Sequence, residues 1–266
     1  MPTVNSEIKR IIREKDLAIR TGTETVRDLL TELHSQVMGE LGKAALGSWD
    51  AYSLRQYLYA IENQMAAFTA KTKTSEGALL TESWGMGQAL VDAPLAAGGI
   101  YSGFYLSTSV LETMKSFTFH KIDGVSAAAW DQIRGEISLG ILGGKTPQEV
   151  ATAIGKNIDE GRFASISLRA ETITKTEMGR AFSEAAQLRM EQAAEHVEGL
   201  KKKWVHAGHP MKARPTHVAI DGQLRPVGEP FNVGGVSMMF PRDPAAPIGE
   251  TINCGCDHVP YHANWA

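Results

Sequence analysis

The sequence predicts an α+β fold: a mostly helical N-terminal body, with a long helix leading into a small β-containing, loop-rich C-terminal module. Three observations predict it. Of 11 prolines, only Pro2, Pro94 and Pro147 precede residue 210; proline fixes φ and removes a backbone donor, so long helices can form before that point and not after it. Apolar residues recur at spacings of three and four through most of the first 200 positions, which is the helical period. Five of eight histidines (His206, His209, His217, His258 and His262) and both cysteines (Cys254 and Cys256) lie beyond residue 205. These shifts divide the chain into residues 1–143, a helical body; 144–200, a second helical part; and 201–266, a small Cys/His module with strands.

In the body, Ile8, Ile11, Ile12, Leu17 and Ile19 form a stripe that Val26, Leu29, Leu30, Leu33, Val37 and Leu41 continue. Asp50 to Phe68 reads as a second helix, and Leu79 to Val91 and Ser107 to Phe119 as two more, separated by Gly98-Gly99. Val125 to Leu142 is helical and ends at the cap Gly143-Gly144. Thr146, Pro147 and Glu149 then supply an N-cap, a first-turn proline and a first-turn acid, with Val150, Ile154 and Ile158 as the buried face. From Arg162 to about Leu200 runs the longest predicted helix. Ile166, Ala170, Ile173, Met178, Ala181, Ala185 and Leu188 give it a face of small and apolar residues suited to close packing. Lys201, Lys202 and Lys203 would close it against the negative end of the helix dipole. Glu171 and Lys175 form an i,i+4 pair on its polar side. Trp84, Tyr101, Phe104 and Tyr105 read as core.

Beyond Trp204, Val218-Ala219-Ile220 is a candidate strand running into the turn Asp221-Gly222, with Gln223 to Val227 returning. Val236 to Phe240 is a further strand. So few apolar residues over this length make a marginal core, so the module needs the helical body, a metal, or both.

Composition excludes several classes. With 43% hydrophobic and 21% charged residues the chain is neither disordered nor fibrous. Two cysteines exclude a disulfide framework. The N-terminus lacks a signal-peptide pattern, and the most apolar stretch, Ala93 to Leu106, is shorter than the roughly 20 residues a bilayer span needs. Residues 1–200 hold 20 Lys+Arg against 25 Asp+Glu and the tail 7 against 5, which speaks against charge-driven DNA binding.

The sharpest local chemistry is Asn253-Cys254-Gly255-Cys256-Asp257-His258. Two thiols at i and i+2 can share a soft metal because Gly255 lets the chain bend. His217 is the natural third ligand. The fourth is taken as His258, with His209 and His206 as alternatives, and zinc suits this sulfur and nitrogen set. Local disulfide formation and two thiols serving as small hydrophobes are the bland alternatives. A catalytic reading would make a cysteine thiolate the nucleophile, His217 the base and Asp221 or Asp243 its orienter. No Gly-x-Ser-x-Gly, phosphate loop, dinucleotide fingerprint or His-Glu-x-x-His accompanies it.

An ordered series of residues resembles a known family. It comprises Arg169-Ala170-Glu171-Thr172-Ile173-Thr174-Lys175-Thr176-Glu177, then Trp204, Arg214-Pro215-Thr216-His217 and Asp221-Gly222-Gln223. Phe240-Pro241-Arg242-Asp243-Pro244, Glu250 and Asn253-Cys254-Gly255-Cys256 complete it. The series is similar to the phage Mu F-like head morphogenesis proteins, also called minor head or minor capsid proteins, over roughly Gly144 to Pro260. The chain departs from that family at Gly255, where an arginine is usual, and at His209, where an acid is usual.

The resemblance implies a structural virion protein of a tailed phage or prophage, made in the host cytoplasm and located in the head near the portal. Its implied partners are the portal protein, the major capsid or scaffold proteins and packaged DNA, with no small-molecule substrate and no catalytic activity. Residues 144–200 would be the helical part of the head-morphogenesis domain. His217, Cys254, Cys256 and His258 would hold the tail around zinc. Trp204 would anchor the tail on the long helix, Arg214, Asp243 and Asn253 would fix loops by hydrogen bonds, and Asp221, Gly222 and Pro241 would shape turns. Related domains also occur joined to toxin modules; none is expected here, since ten residues follow Cys256. The competing expectation is a metal- or thiol-dependent hydrolase acting on cell wall or nucleic acid during infection.

Overall fold

The structure, a computed structural model, describes residues 3–44, 51–100, 106–146, 149–150, 152–154, 162–206 and 213–265. Four long helices dominate: α1 (Val4–Ala44), α2 (Ala51–Ala97), α3 (Ser109–Leu142) and α4 (Arg162–Ala194). The C-terminal part adds strands β1 (Lys201–Val205), β2 (Leu224–Pro226), β3 (Phe231–Val233), β4 (Val236–Met238) and β5 (Asp257–Tyr261). Two short helices, α5 (Pro215–Ala219) and α6 (Ile248–Thr251), lie among them. The predicted α+β class, helical body first and a small antiparallel module last, is the observed one.

The helices are fewer and longer than the breaks in the sequence suggest. The predicted helices around residues 50–68 and 79–91 are one element, α2, which runs through Gly77, Gly85, Gly87 and Pro94. Those around residues 107–119 and 125–142 are likewise one, α3. Glycine weakens an isolated helix, but here packing demands it: a Cβ on Gly87 would collide with the Phe182 carbonyl and stand 2.8 Å from the Ala185 Cβ. The ends follow the local code. The Thr3 hydroxyl accepts from the Ser6 amide at 3.2 Å and caps α1. Ile100 N–H bonds the Leu95 carbonyl across left-handed Gly99 to close α2, and Lys145 N–H bonds the Gly140 carbonyl across left-handed Gly144 to close α3. Thr146 and Glu149 form a reciprocal capping box, 2.7 Å from the Thr146 amide to Glu149 and 3.3 Å from the Glu149 amide to the Thr146 hydroxyl. The expectations for Asp50, Tyr101, Phe104, Tyr105, Pro147, Ile158 and His209 lie outside the described residues.

The chain forms two compact units, and each long helix gives one stretch to each. The unit of Gly22–Gly77 and Ser116–Thr174 buries Leu33, Val37 and Leu41 of α1, Ile61 and Met65 of α2, and Val125, Ile133 and Ile137 of α3, with Val150 and Ile154. Here Glu171 is held by Arg27, whose Nε and Nη2 lie 3.1 and 3.0 Å from its two oxygens.

The unit of Met1–Thr21, Ala78–Lys115 and Lys175–Ala266 carries the Cys/His module. Leu90, Val91 and Leu95 of α2 pack with Phe182, Ala186 and Met190 of α4, Ile11 of α1 and Val259 of β5. Ala181 and Ala185, from the predicted small-residue face, pack with Leu80, Trp84 and Leu111. Glu177 is buried and pairs with Arg180 at 2.6 Å.

In the module the three-stranded sheet has order β2-β1-β5, all antiparallel. Lys202 faces Arg225 on one side and Pro260 on the other, and Trp204 faces His258. This corrects the reading of Lys201–Lys203 as a helix cap: α4 stops at Ala194, and the three lysines open the central strand. Lys202 is fully buried, its Nζ 2.7 Å from the Met239 carbonyl and 3.2 Å from Gln187 Oε1. Val218–Ile220 is likewise not a strand; Pro215 starts the short helix α5 there instead. The Asp221-Gly222 turn and the return strand β2 stand as expected. β3 and β4 pair as a hairpin across Gly234-Gly235, both at positive φ (60° and 93°), the geometry of a tight two-residue turn. Among the described residues no helix is long and apolar enough to cross a membrane.

Candidate metal centre

The centre is assembled from short elements that the strands hold in place. His217 projects from α5, Glu250 from α6, and Cys254 and Cys256 from the loop between α6 and β5; His206 follows β1. Asn253 turns the chain into that loop at a φ of 52°. Its amide is tied to Thr176 Oγ1 of α4 at 3.3 Å. Gly255 then separates the two thiols.

One ligand atom each from His217, Cys254 and Cys256 lie within 4.8 Å of one another, and all three residues are buried. His217 Nδ1 is 3.5 Å from Cys254 Sγ and 3.6 Å from Cys256 Sγ. His206 Nδ1 is 3.5 Å from Cys256 Sγ. These separations have a direct reading. With Zn–S near 2.3 Å and Zn–N near 2.0–2.1 Å at tetrahedral angles, a sulfur and a nitrogen on one zinc stand about 3.6 Å apart. His217, Cys254 and Cys256 therefore fit a soft cation in donor kind and in their nitrogen–sulfur spacings, while His206 stands within this distance of Cys256 alone.

His217 Nε2 meets Glu250 Oε2 at 2.8 Å, so a carboxylate fixes the ring from behind, as around metal-bound imidazoles. The Trp204 ring meets the His217 ring edge-on, 5.5 Å between centroids. Electrostatics follow from this crowding. The Cys256 thiol bonds to Cys254, and His217 and the Arg242 charge add to it, holding Cys254 well below the ordinary thiol range despite burial. Cys256 is pushed up by the Cys254 thiolate and by burial. Burial alone would lower His217; the Cys254 thiolate and Glu250 outweigh it and raise the imidazole.

His258 takes no part in this cluster. It sits in β5 with its ring stacked on Phe240, 6.0 Å between centroids, and is fully buried. Neither ring nitrogen has a hydrogen-bond partner among the described residues. Burial pushes its pKa down to about 3. The histidine set against Cys256 is His206.

The other expected residues are placed as follows. Trp204 is fully buried and, among the described residues, clusters with Ile220, Phe231, Val233, Met238 and the cysteines of the module itself. Arg214 Nη2 donates to the Ile252 carbonyl at 2.8 Å. Asp243 accepts from the Met239 and Ala245 amides at 2.7 and 2.8 Å, bracing the loop that contains Pro241. Asp221 accepts from the His206 amide at 2.8 Å, and Gly222, at a φ of 76°, donates to the Trp204 carbonyl.

Sequence reasoning missed the charged group beneath the cysteines. Arg242 is 2% exposed and donates to the Cys254 carbonyl at 2.6 Å, to Ser183 Oγ at 2.8 Å and to Asp257 Oδ1 at 3.1 Å. Asp257 Oδ2 receives Lys15 Nζ of α1 at 2.5 Å. Burial alone would raise the Asp257 carboxyl; the two cations outweigh it and hold it below the ordinary value. The sequence signals were the adjacency of Asp257 to Cys256 and the place of Arg242 in the family-resembling run Phe240–Pro244, and neither names a partner.

Residues 131–259 match the family model described as Phage Mu protein F like protein. Over 91 residues the chain is 41% identical to an uncharacterized protein, YqbB, of Bacillus subtilis (strain 168), covering 33% of this chain and 29% of that protein. Over 127 residues it is 33% identical to the NAD(+)–arginine ADP-ribosyltransferase EFV of Enterococcus faecalis (strain ATCC 700802 / V583), covering 48% of this chain and 25% of that protein. The chain thus spans less than a third of the length of either relative. No solved structure matches it.

Proposed function

From residues 131–259, which match the phage Mu F-like family, we propose that this chain is a minor head protein of a tailed phage or prophage, acting structurally in head morphogenesis. Portal association, contact with the major capsid or scaffold proteins, and a role in packaging or delivering DNA belong to this proposal, with the virion head as its location. The family match is the observation that carries it. In this proposal residues 1–143 are a helical N-terminal body, 144–200 the helical part of the head-morphogenesis domain and 201–266 its small Cys/His module.

The Cys/His centre is proposed to bind one zinc ion through His217, Cys254 and Cys256, with His206 supplying the fourth ligand and Glu250 fixing the His217 ring. When bound, zinc would supply folding energy to a module whose own core is small. The burial of both thiols, 6% and 3% exposed, supports architecture over a thiol- or metal-dependent hydrolase, which needs a ligand position open to substrate. The ADP-ribosyltransferase relative aligns over a quarter of its own length, and its named activity is not carried to this chain.

The test is composition of the particle. Purified virions of the encoding phage should contain the protein in a few copies, cross-linkable to the portal protein. Its absence from mature and precursor heads alike would refute the assignment.

A further inference from the structure

The Cys-Gly-Cys turn is gripped from below by charges. Arg242 holds the Cys254 carbonyl at 2.6 Å and, through Asp257, the residue after Cys256. Asp257 is itself completed by Lys15, 242 positions earlier in the chain and 1% exposed. Lys15 Nζ also reaches Asp16 Oδ1 at 3.1 Å and lies 5.2 Å from the centre of the Phe182 ring on α4. A buried carboxylate between two cations is stable only while both remain. If Lys15 withdraws, Asp257 must either shift towards Arg242 or draw in water, and each changes the register of Cys256 against Cys254.

We infer that Lys15 is a positioning residue of the His217/Cys254/Cys256 centre: docking of the first turns of α1 sets the spacing of the two sulfurs. Metal loading and docking of this helix end are then one linked equilibrium, and each must favour the other by the same factor. The inference rests on the proposed zinc reading and adds a distant helix to it.

The experiment uses the full chain, stripped with a chelator under reducing conditions and reloaded with zinc in competition with a chromophoric chelator. The unaltered protein should take up one zinc. Lys15→Met should also take up one, with affinity about tenfold lower, within the range of lost outer-shell partners; Lys15→Arg should recover most of it, a rescue that general destabilisation would not give. In the unaltered protein, amide exchange over residues 4–20 should quicken when zinc is removed, while residues 116–142 stay protected. Unchanged affinity in Lys15→Met, or unchanged exchange over residues 4–20, overturns the coupling. If Lys15→Met does not fold, the exchange comparison decides alone, since it needs no variant. Failure of the unaltered protein to bind zinc overturns the metal reading and the coupling together. One zinc in the unaltered protein with no effect at Lys15 overturns only the coupling.

Discussion

Gly179 of α4 lies directly against the guanidinium of Arg242: a Cβ built on Gly179 would stand 2.8 Å from Nε and 2.9 Å from Cζ. Alanine in a helix interior is worth about 1 kcal/mol over glycine, so propensity alone argues against this residue. It is there because a flat helix surface lets Arg242 reach Ser183, the Cys254 carbonyl and Asp257 at once. Gly179→Ala should therefore destabilise the protein by about 1–2 kcal/mol net, overpacking and displaced hydrogen bonds exceeding the propensity gain. Urea unfolding of the two proteins at pH 7 measures it, and an increase in stability would contradict this account of Arg242.

Glu250 touches His217 and is not itself in the sulfur-nitrogen cluster. Glu250→Gln keeps the size and loses the charge, so zinc affinity should fall about 10–100-fold while stoichiometry stays at one per chain. The same samples provide a second readout. A thiol reagent should leave both cysteines unmodified in the loaded native protein and modify both after chelation, since a thiolate bound to metal is withdrawn from attack.

The legible and illegible parts of the fold divide on physical lines. Features written in neighbouring residues could be read: the 3.6-residue stripes of α1 and α4, the Gly143-Gly144 cap, the Thr146–Glu149 box and the Asp221-Gly222 turn. The strand of Lys201–Val205 could not, because three successive lysines show no apolar alternation; it is a strand since β2 and β5 pair with it on both sides. The gaps read between residues 68 and 79 and between 119 and 125 lie inside the continuous helices α2 and α3, because tertiary packing overrides propensity. At the candidate site, Cys254, Cys256 and His217 stood out by residue type. The choice between His206 and His258 depends on where β1 ends and how β5 packs on Phe240, which spacing does not encode. Lys15 and Asp257 meet only in three dimensions.

Glu184 of α4 is half-buried, and burial, with Asp243 and Glu191 nearby and Arg180 opposing, raises its pKa to about 7. Below about pH 4.5 folded and unfolded chains both carry this proton. Between that pH and about 7 the folded state keeps a proton that the unfolded chain has released, so stability falls as pH rises through this window and levels off above it. Allowing for the part of the side chain that faces water, the effect should be about 1–2 kcal/mol. Urea midpoints at pH 5 and pH 7.5 for the unaltered protein and Glu184→Gln isolate it, because protonation of the Cys/His centre is common to both. Equal pH slopes would show that Glu184 is not the group responsible.

His258 offers the sharpest test of which imidazole belongs to the centre. Its ring is stacked on Phe240 and buried, and both nitrogens lack a hydrogen-bond partner among the described residues. Burial first, and the nearby Lys202 charge second, push its pKa down to about 3, so it is neutral through the physiological range. A neutral ring with two unsatisfied polar atoms costs stability that a hydrocarbon ring would not, about 1–3 kcal/mol for each group left without a partner. His258→Phe keeps the stack and removes both atoms, so stability should hold or rise by about 1–2 kcal/mol, the slightly larger ring taking back part of the gain. Zinc content should remain at one per chain, whereas His206→Ala should weaken binding while leaving the His217, Cys254 and Cys256 set in place. Measured together by metal analysis and urea unfolding, a folded His258→Phe protein without zinc would restore His258 as the fourth ligand and displace His206 from that role.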